Sequence, residues 1–216
     1  MASFLPCPEL LAIMTPAYGP CREFAAACGA AARWHPGSGQ VPRGFVGALG
    51  TLAEVELVLL IAEPGDPLPG ERHGGSTANE FVEDTCAYTF AQLQRGTDLF
   101  HRNLRGILNS CWPGLDLRQQ LHKAWISETY LCSARVEGGT VPASSWRACA
   151  SDYLAPQLRL LADRMIVALG SKAQQRTTGF SGIHRAGAVA PPGCNFAGVR
   201  ASWDAIPGYL AERRST

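Results

Sequence analysis

Glu63 stands where a buried apolar run stops. Residues 57–70 read LVLLIAEPGDPLPG. Leu57 to Ala62 have the length and aliphatic content of a core strand and are too few to span a bilayer. Pro64, Gly65, Asp66 and Pro67 then exclude both strand and helix. A carboxylate on the loop leaving the carboxyl end of a buried strand lies where open α/β sheets place their ligands. There it could orient water or stabilise a developing positive charge. The same pattern also suits a plain strand-to-turn transition with a solvated acid, so this stretch alone leaves both readings open.

The elements that must position this acid alternate between strand and helix. Residues 20–33 (PCREFAAACGAAAR) read as a helix, and a Gly/Pro-rich connection follows. After the strand at 55–62 and a polar loop come two helices, EFVEDTCAYTFAQLQRG and TDLFHRNLRGILNSC, the second capped by Thr97 or Asp98. LDLRQQLHKAW is a short helix, ETYLCSARV a second buried strand, and SSWRACASDYLAPQLRLLADR a helix with a bend expected at Pro156. RMIVALG is a third strand that breaks at Gly170 into a helix begun by Ser171, and AGAVA is a fourth. The terminal helix, VRASWDAIPGYLAERR, is interrupted at Pro207, and its basic end complements the helix dipole.

This alternation predicts an α/β fold: a single-domain, three-layer α/β/α sandwich with a central four-stranded, mainly parallel sheet. Residues 1–216 form one domain, with 1–50 as a helical N-terminal extension packed on it. Loops at the strand carboxyl ends would gather EPGDPLPGERHGG, SARVEGG, GSKAQ and PPGCNF along one edge. Their glycines permit close backbone approach, and their amides, with those at Ser171, could receive phosphate oxygens.

Composition narrows the class of partner. The chain has 216 residues, 46% hydrophobic and 17% charged, an ordinary globular balance. Its formal net charge is +1, so any anionic partner must be drawn by a local patch rather than an overall basic field. The amino terminus, MASFLPCPELLAIM, lacks a basic region, and Pro6 and Pro8 interrupt its apolar stretch. A soluble, cytoplasmic protein with no membrane partner is expected. Eight cysteines at 7, 21, 28, 86, 111, 132, 149 and 194 include no C-x-x-C pair, which disfavours a metal, and the length disfavours a disulfide-stapled fold.

The segment TYLCSARVEGGTVPASSWRACASDYLAPQLRLLADRMIVALGSKA resembles the middle of the uracil-DNA glycosylase superfamily. It is most similar to the bacterial branch that carries an iron–sulfur cluster. In that branch a strand reading like Y-I-T-N precedes a Pro-containing loop, then a helix with C-x-x-Y/F-L-x-x-Q-L and a V-I-V-A-L-G-x-x-A strand. Upstream, IAEPG resembles G-E-A-P-G and EFVED resembles P-F-V-G. The similarity spans roughly residues 55–205 and is strongest over CASDYLAPQLRLLADRMIVALGSKA, which is mostly scaffold. It implies hydrolysis of the bond between uracil, or a related deaminated base, and DNA, initiating base excision repair.

Carried over position by position, the resemblance puts Glu63 beside the base pocket, with Pro64, Gly65 and Asp66 around it. It gives Phe81 the stacking face and Ser133 the place of the Asn that reads the base edge. Pro191 stands where the second motif has a His, and proline cannot donate a hydrogen bond to the departing base. Candidates for that task are the amides near Gly65 and Asp66, Asn195, and His73 or His184. Arg72, Arg135, Ser171, Lys172, Arg185, Pro192 and Gly193 lie on or beside loops that would hold DNA phosphates. Of the cluster ligands, Cys149 matches the fourth, the third falls at Glu137 and the amino-terminal close pair is absent, so no cofactor is expected. Two other readings stand beside this one: a base-binding module without catalysis, and an unrelated nucleotide-handling α/β enzyme.

Overall fold

The computed structural model describes residues 3–19, 21, 23–29, 32–136 and 139–214. Three strands have every side chain buried: the apolar runs β2 (Leu57–Ile61) and β4 (Met165–Leu169), and β3 (Ala124–Glu128), which ends in the polar Ser127 and Glu128. Continuous aliphatic runs are what a sheet covered on both faces requires. Each buried Leu, Ile or Val in them contributes about 1.5–3 kcal/mol of transfer free energy.

The sheet has five strands in the order β1-β3-β2-β4-β5, one more than expected. The addition is β1 (Val46–Gly47), a two-residue edge strand antiparallel to β3; β2, β3, β4 and β5 (Ile183–Ala186) run parallel. Gly47 has a positive φ, and a Cβ there would lie 2.1 Å from the Ala124 carbonyl oxygen, so only glycine lets β1 close on β3.

Two strand boundaries differ from the sequence reading. The second core strand begins at Ala124 rather than at Glu128, because Trp125 and Ile126 carry the burial. Trp125 is fully buried, packs 5.9 Å from the Phe45 ring and donates its Nε1–H to Gln157 Oε1 at 2.8 Å. The last strand is Ile183–Ala186 rather than residues 186–190, and its exposed His184 and Arg185 mark it as an edge, where no apolar run is needed.

The helices are α1 (Pro8–Met14), α2 (Ala78–Arg95), α3 (Leu99–Cys111), α4 (Leu117–Lys123), α5 (Ala143–Cys149), α6 (Ala155–Leu160), α7 (Ser171–Arg176), α8 (Val199–Asp204) and α9 (Ile206–Arg214). Among the described residues of 20–33, a short wide turn, Phe24–Cys28, takes the place of the expected helix. Asp98 rather than Thr97 caps α3, accepting the His101 backbone N–H at 2.9 Å. A wide turn at Ala150–Leu154 separates α5 from α6 just before Pro156.

Right-handed crossovers place α2–α4, between β2 and β3, on one face of the sheet and α5–α7 on the other. With α8 and α9 packed against α3, the result is an α/β/α sandwich. The chain winds from β2 toward one edge and from β4 toward the other. The reversal point therefore lies between β2 and β4, and a crevice for ligands opens beyond their carboxyl ends. No described helix is long and apolar enough to cross a membrane.

Candidate functional site

A cavity of about 1010 Å³ occupies that crevice. Its walls come from the loops after β2, β4 and β5, the end of β3, and the facing sides of α2 and α3. Glu63, two residues past β2, is held from the neighbouring strand's side. Arg176 Nη2 lies 2.6 Å from its Oε2, and Lys172 Nζ lies 2.5 Å from its Oε1. Arg176 also donates Nη1 to the Ala62 carbonyl at 2.6 Å, so one buried guanidinium fixes both the turn and the acid on it.

Glu128 ends β3 in the same cavity and is 2% exposed. Its Oε2 is buried without a hydrogen-bond partner. Burial pushes this carboxyl well above the usual range, the Glu63 charge adds to the rise, and Arg176 and Arg43 do not cancel it. The protonated acid, which can donate a hydrogen bond, is thereby favoured. Gly44, with φ of +87°, makes room for it: a Cβ there would lie 2.7 Å from Glu128 Oε1.

The loop after β2 is locked from behind by Arg43. This buried guanidinium donates to the Gly65 carbonyl and to Ser133 Oγ, each at 2.6 Å, and pairs with Glu71 Oε1 at 3.0 Å. Glu71 in turn accepts the Leu68 N–H and meets His73 Nε2 at 2.9 Å, while His73 Nδ1 meets Asp84 at 2.8 Å. Burial alone would raise the Glu71 carboxyl; His73, Arg43 and the Leu68 N–H together bring it below the usual value.

Of the residues singled out in the sequence, Glu63, Pro64, Gly65, Asp66, Ser171, Lys172, Pro192 and Gly193 line the cavity together. Pro191 lines it too, and the following residues stand elsewhere. Phe81, at the start of α2, stacks on Tyr18 (centroids 5.8 Å apart, planes at 21°) and leans on Trp34, so its face is spent on the N-terminal segment. Ser133 is buried behind the loop, accepting from Arg43 and donating to the Gly65 carbonyl at 2.7 Å. His73 is enclosed by its two carboxylates, with no part of its side chain exposed. Asn195 is exposed on a turn outside the cavity wall. Arg72 folds back on the Glu71 carbonyl, and Arg135 is exposed with its own carbonyl taken by Arg33. His184 stacks on Tyr209 at the far edge.

Sequence reasoning passed over several residues that line the cavity or, like Arg176, hold its lining from behind. Arg43 lies before the first expected strand, Glu128 was read as a strand start rather than a strand end, and Arg176 sits at the last turn of a short helix. Flat faces come from Tyr88 and Phe100, both half-buried. Burial and the nearby Glu71 push the Tyr88 phenol up to about 12, so it stays neutral. The Asp98–His101 pair on α3 completes this wall, with His101 Nδ1 2.6 Å from Asp98 Oδ2. Only Asp98 carried a signal, as a cap.

The iron–sulfur group implied by the resemblance would need four thiolates. Cys132, Cys149, Cys28 and Cys21 are neighbours, and after burial the charges of nearby thiols help to raise Cys132, Cys149 and Cys28. Cys132 stands beside Cys149, and Glu137, the expected third ligand, lies outside the described residues. The donor types suit such a group, but among the described residues no three Cys, His, Asp or Glu side chains converge in an arrangement that could hold a metal ion. As arranged, these thiols do not fit the group.

No protein-family model matches the chain, and no curated protein matches it either.

Proposed function

We propose that this chain hydrolyses the N-glycosidic bond between DNA and uracil or a related deaminated base, acting as a base-excision glycosylase. The observation that carries the reading is one cavity, at the reversal point of a parallel sheet, holding two glutamates in opposite settings. Glu63 is paired with Lys172 and Arg176, whereas Glu128 is buried with an unpartnered oxygen. An ion-paired carboxylate beside a buried carboxyl that favours its proton is an arrangement suited to acid–base division of labour.

In this reading the glycosidic bond loosens toward a cationic sugar while negative charge grows on the base. Glu63, near the sugar, stabilises the cation and orients water. Glu128, at the floor, donates a hydrogen bond to a carbonyl of the base. Trp125-Ile126-Ser127-Glu128 lies in register with Y-I-T-N once β3 ends at Glu128, so the edge-reading position moves from Ser133 to Glu128. The cavity, at the upper end of roughly 300–1,000 Å³ for ligand sites, has room for an extruded nucleotide. Tyr88 and Phe100 replace Phe81 as stacking faces, and Lys172 with the amides at Ser171 receives phosphate.

The test is incubation of excess protein with oligonucleotides carrying uracil, hypoxanthine or xanthine, followed by alkaline cleavage at abasic sites. Cleavage is expected with at least one base, and Glu63→Gln should lower the rate about 10²-fold or more. Intact activity in that variant removes Glu63 from the mechanism.

A second reading is a base-binding module without turnover. It is favoured by the two cations already spent on Glu63 and by Pro191 at the cavity wall. It predicts retention of abasic or uracil-containing strands with no product at protein excess.

A further inference from the structure

We propose that His101, held by Asp98, is the group that protonates the departing base. This assignment rests on the glycosidic reading and adds to it a catalytic residue from α3, an element to which the sequence assigned no chemistry.

Asp98 does more than cap its helix. Capping uses Oδ1, which accepts the His101 backbone N–H at 2.9 Å; Oδ2 is committed to the His101 ring at 2.6 Å. Burial raises the Asp98 carboxyl, but the His101 backbone and ring hydrogen bonds outweigh burial and bring it below the usual value. An ionised carboxylate only accepts, so the proton between them sits on Nδ1 and Nε2 is the working nitrogen. The Phe100 ring, edge-on at 4.9 Å, further restricts the imidazole.

Position favours the same role. Among the five histidines, His101 is the one lining the cavity, and its side chain is 17% exposed, against 2% for Glu128. The more exposed His101 suits the group that meets the departing side of a base whose far edge is seated on the buried Glu128. Pro191 lines the same cavity and has no proton to give, so the donor comes from the helix wall instead of the loop after β5.

The step balances without an added reactant. The C1′–N bond breaks with its electron pair passing to the base, which takes the Nε2 proton of the doubly protonated His101 ring, while Nδ1 keeps its proton toward Asp98. Water adds to C1′, and the proton it loses passes through Glu63 to solvent, from which His101 is recharged.

The test is single-turnover release of uracil by wild type, His101→Ala, His101→Gln and Asp98→Asn, each with a thermal melt to confirm folding. His101→Ala should slow release about 10²-fold or more, with part of the rate restored by added imidazole, which a purely structural role would not give. His101→Gln, which keeps a polar residue on the first turn, should be equally slow. Asp98→Asn retains a good cap and should lose about tenfold or more through the misoriented ring. Wild-type rates in both His101 variants, or a slow His101→Ala that imidazole leaves unchanged, overturn the assignment while leaving the glycosidic reading standing. A wild-type protein that releases no base from any of the three oligonucleotides overturns that reading, and this assignment with it.

Discussion

Arg176 grips Glu63 and the turn beneath it at once: Nη2 meets Glu63 Oε2 at 2.6 Å, while Nη1 donates to the Ala62 carbonyl at 2.6 Å. With side chains only 5% and 10% exposed, this is a buried pair, and its loss leaves the Glu63 carboxylate with the more exposed Lys172 as its remaining cation. Arg176→Met should therefore cost about 3–5 kcal/mol, read as a lowered midpoint in urea denaturation. An unchanged midpoint would show that solvent already screens Glu63.

Glu128 predicts a stability that declines with pH. Its carboxyl is raised in the folded state by burial first and the Glu63 charge second. Above the unfolded-state pKa, near 4.5, the unfolded chain gives up this proton while the folded one keeps it. The folded state then binds more protons, so stability falls as pH rises through the window between the unfolded and folded values. Below that window both states are protonated and the full stability is present. Glu128→Gln should flatten this slope, and its melting temperature should gain on wild type as pH rises above the unfolded-state value near 4.5. A constant difference across that range would contradict a raised carboxyl.

Gly44 and Glu128 are coupled by space. Gly44→Ala places a methyl 2.7 Å from Glu128 Oε1 and also forces a positive φ on alanine. The backbone term alone costs about 1–3 kcal/mol. In a double-mutant cycle with Glu128→Ala the destabilisation should shrink toward that term. Strict additivity would mean that the carboxylate moves aside freely.

Phe196 is 68% exposed at the cavity rim, where Leu68 and Leu99 are also exposed. An apolar ring there can wedge into a base stack as a nucleotide leaves it. Under the glycosidic reading, Phe196→Ala should slow release from duplex about tenfold while sparing single strands, where no stack must be filled. Equal losses on both substrates would count against a wedge.

The buried thiols should resist alkylation. Burial pushes Cys149 up to about 12, and it raises Cys86 and Cys132 further from neutrality. At pH 7 each is a neutral, enclosed thiol and a poor nucleophile. Mass spectrometry after iodoacetamide treatment should find Cys194, which is partly exposed, labelled before these three, which react only on unfolding. Early labelling of Cys149 would mean that its environment opens.

Strands β2 and β4 and the placement of Glu63 were legible because their cause is local, whereas β3, which ends in Ser127 and Glu128 rather than in an aliphatic run, was read four residues late. An unbroken aliphatic run ending in Pro-Gly can only be a covered strand leading to a turn, and sheet winding then brings the loops after β2 and β4 together. What the sequence could not disclose depends on partners distant along the chain. Phe81 has the same type and helix position whether it faces a ligand or Tyr18; packing by the N-terminal segment decided that. Ser133 was claimed by Arg43 from 90 residues away, and Glu128 became an unpartnered buried acid only because Gly44 leaves room for it. Periodicity reports which residues are buried, but charge pairing, side-chain direction and the walls of a cavity are set by three-dimensional neighbours, which only the tertiary structure supplies.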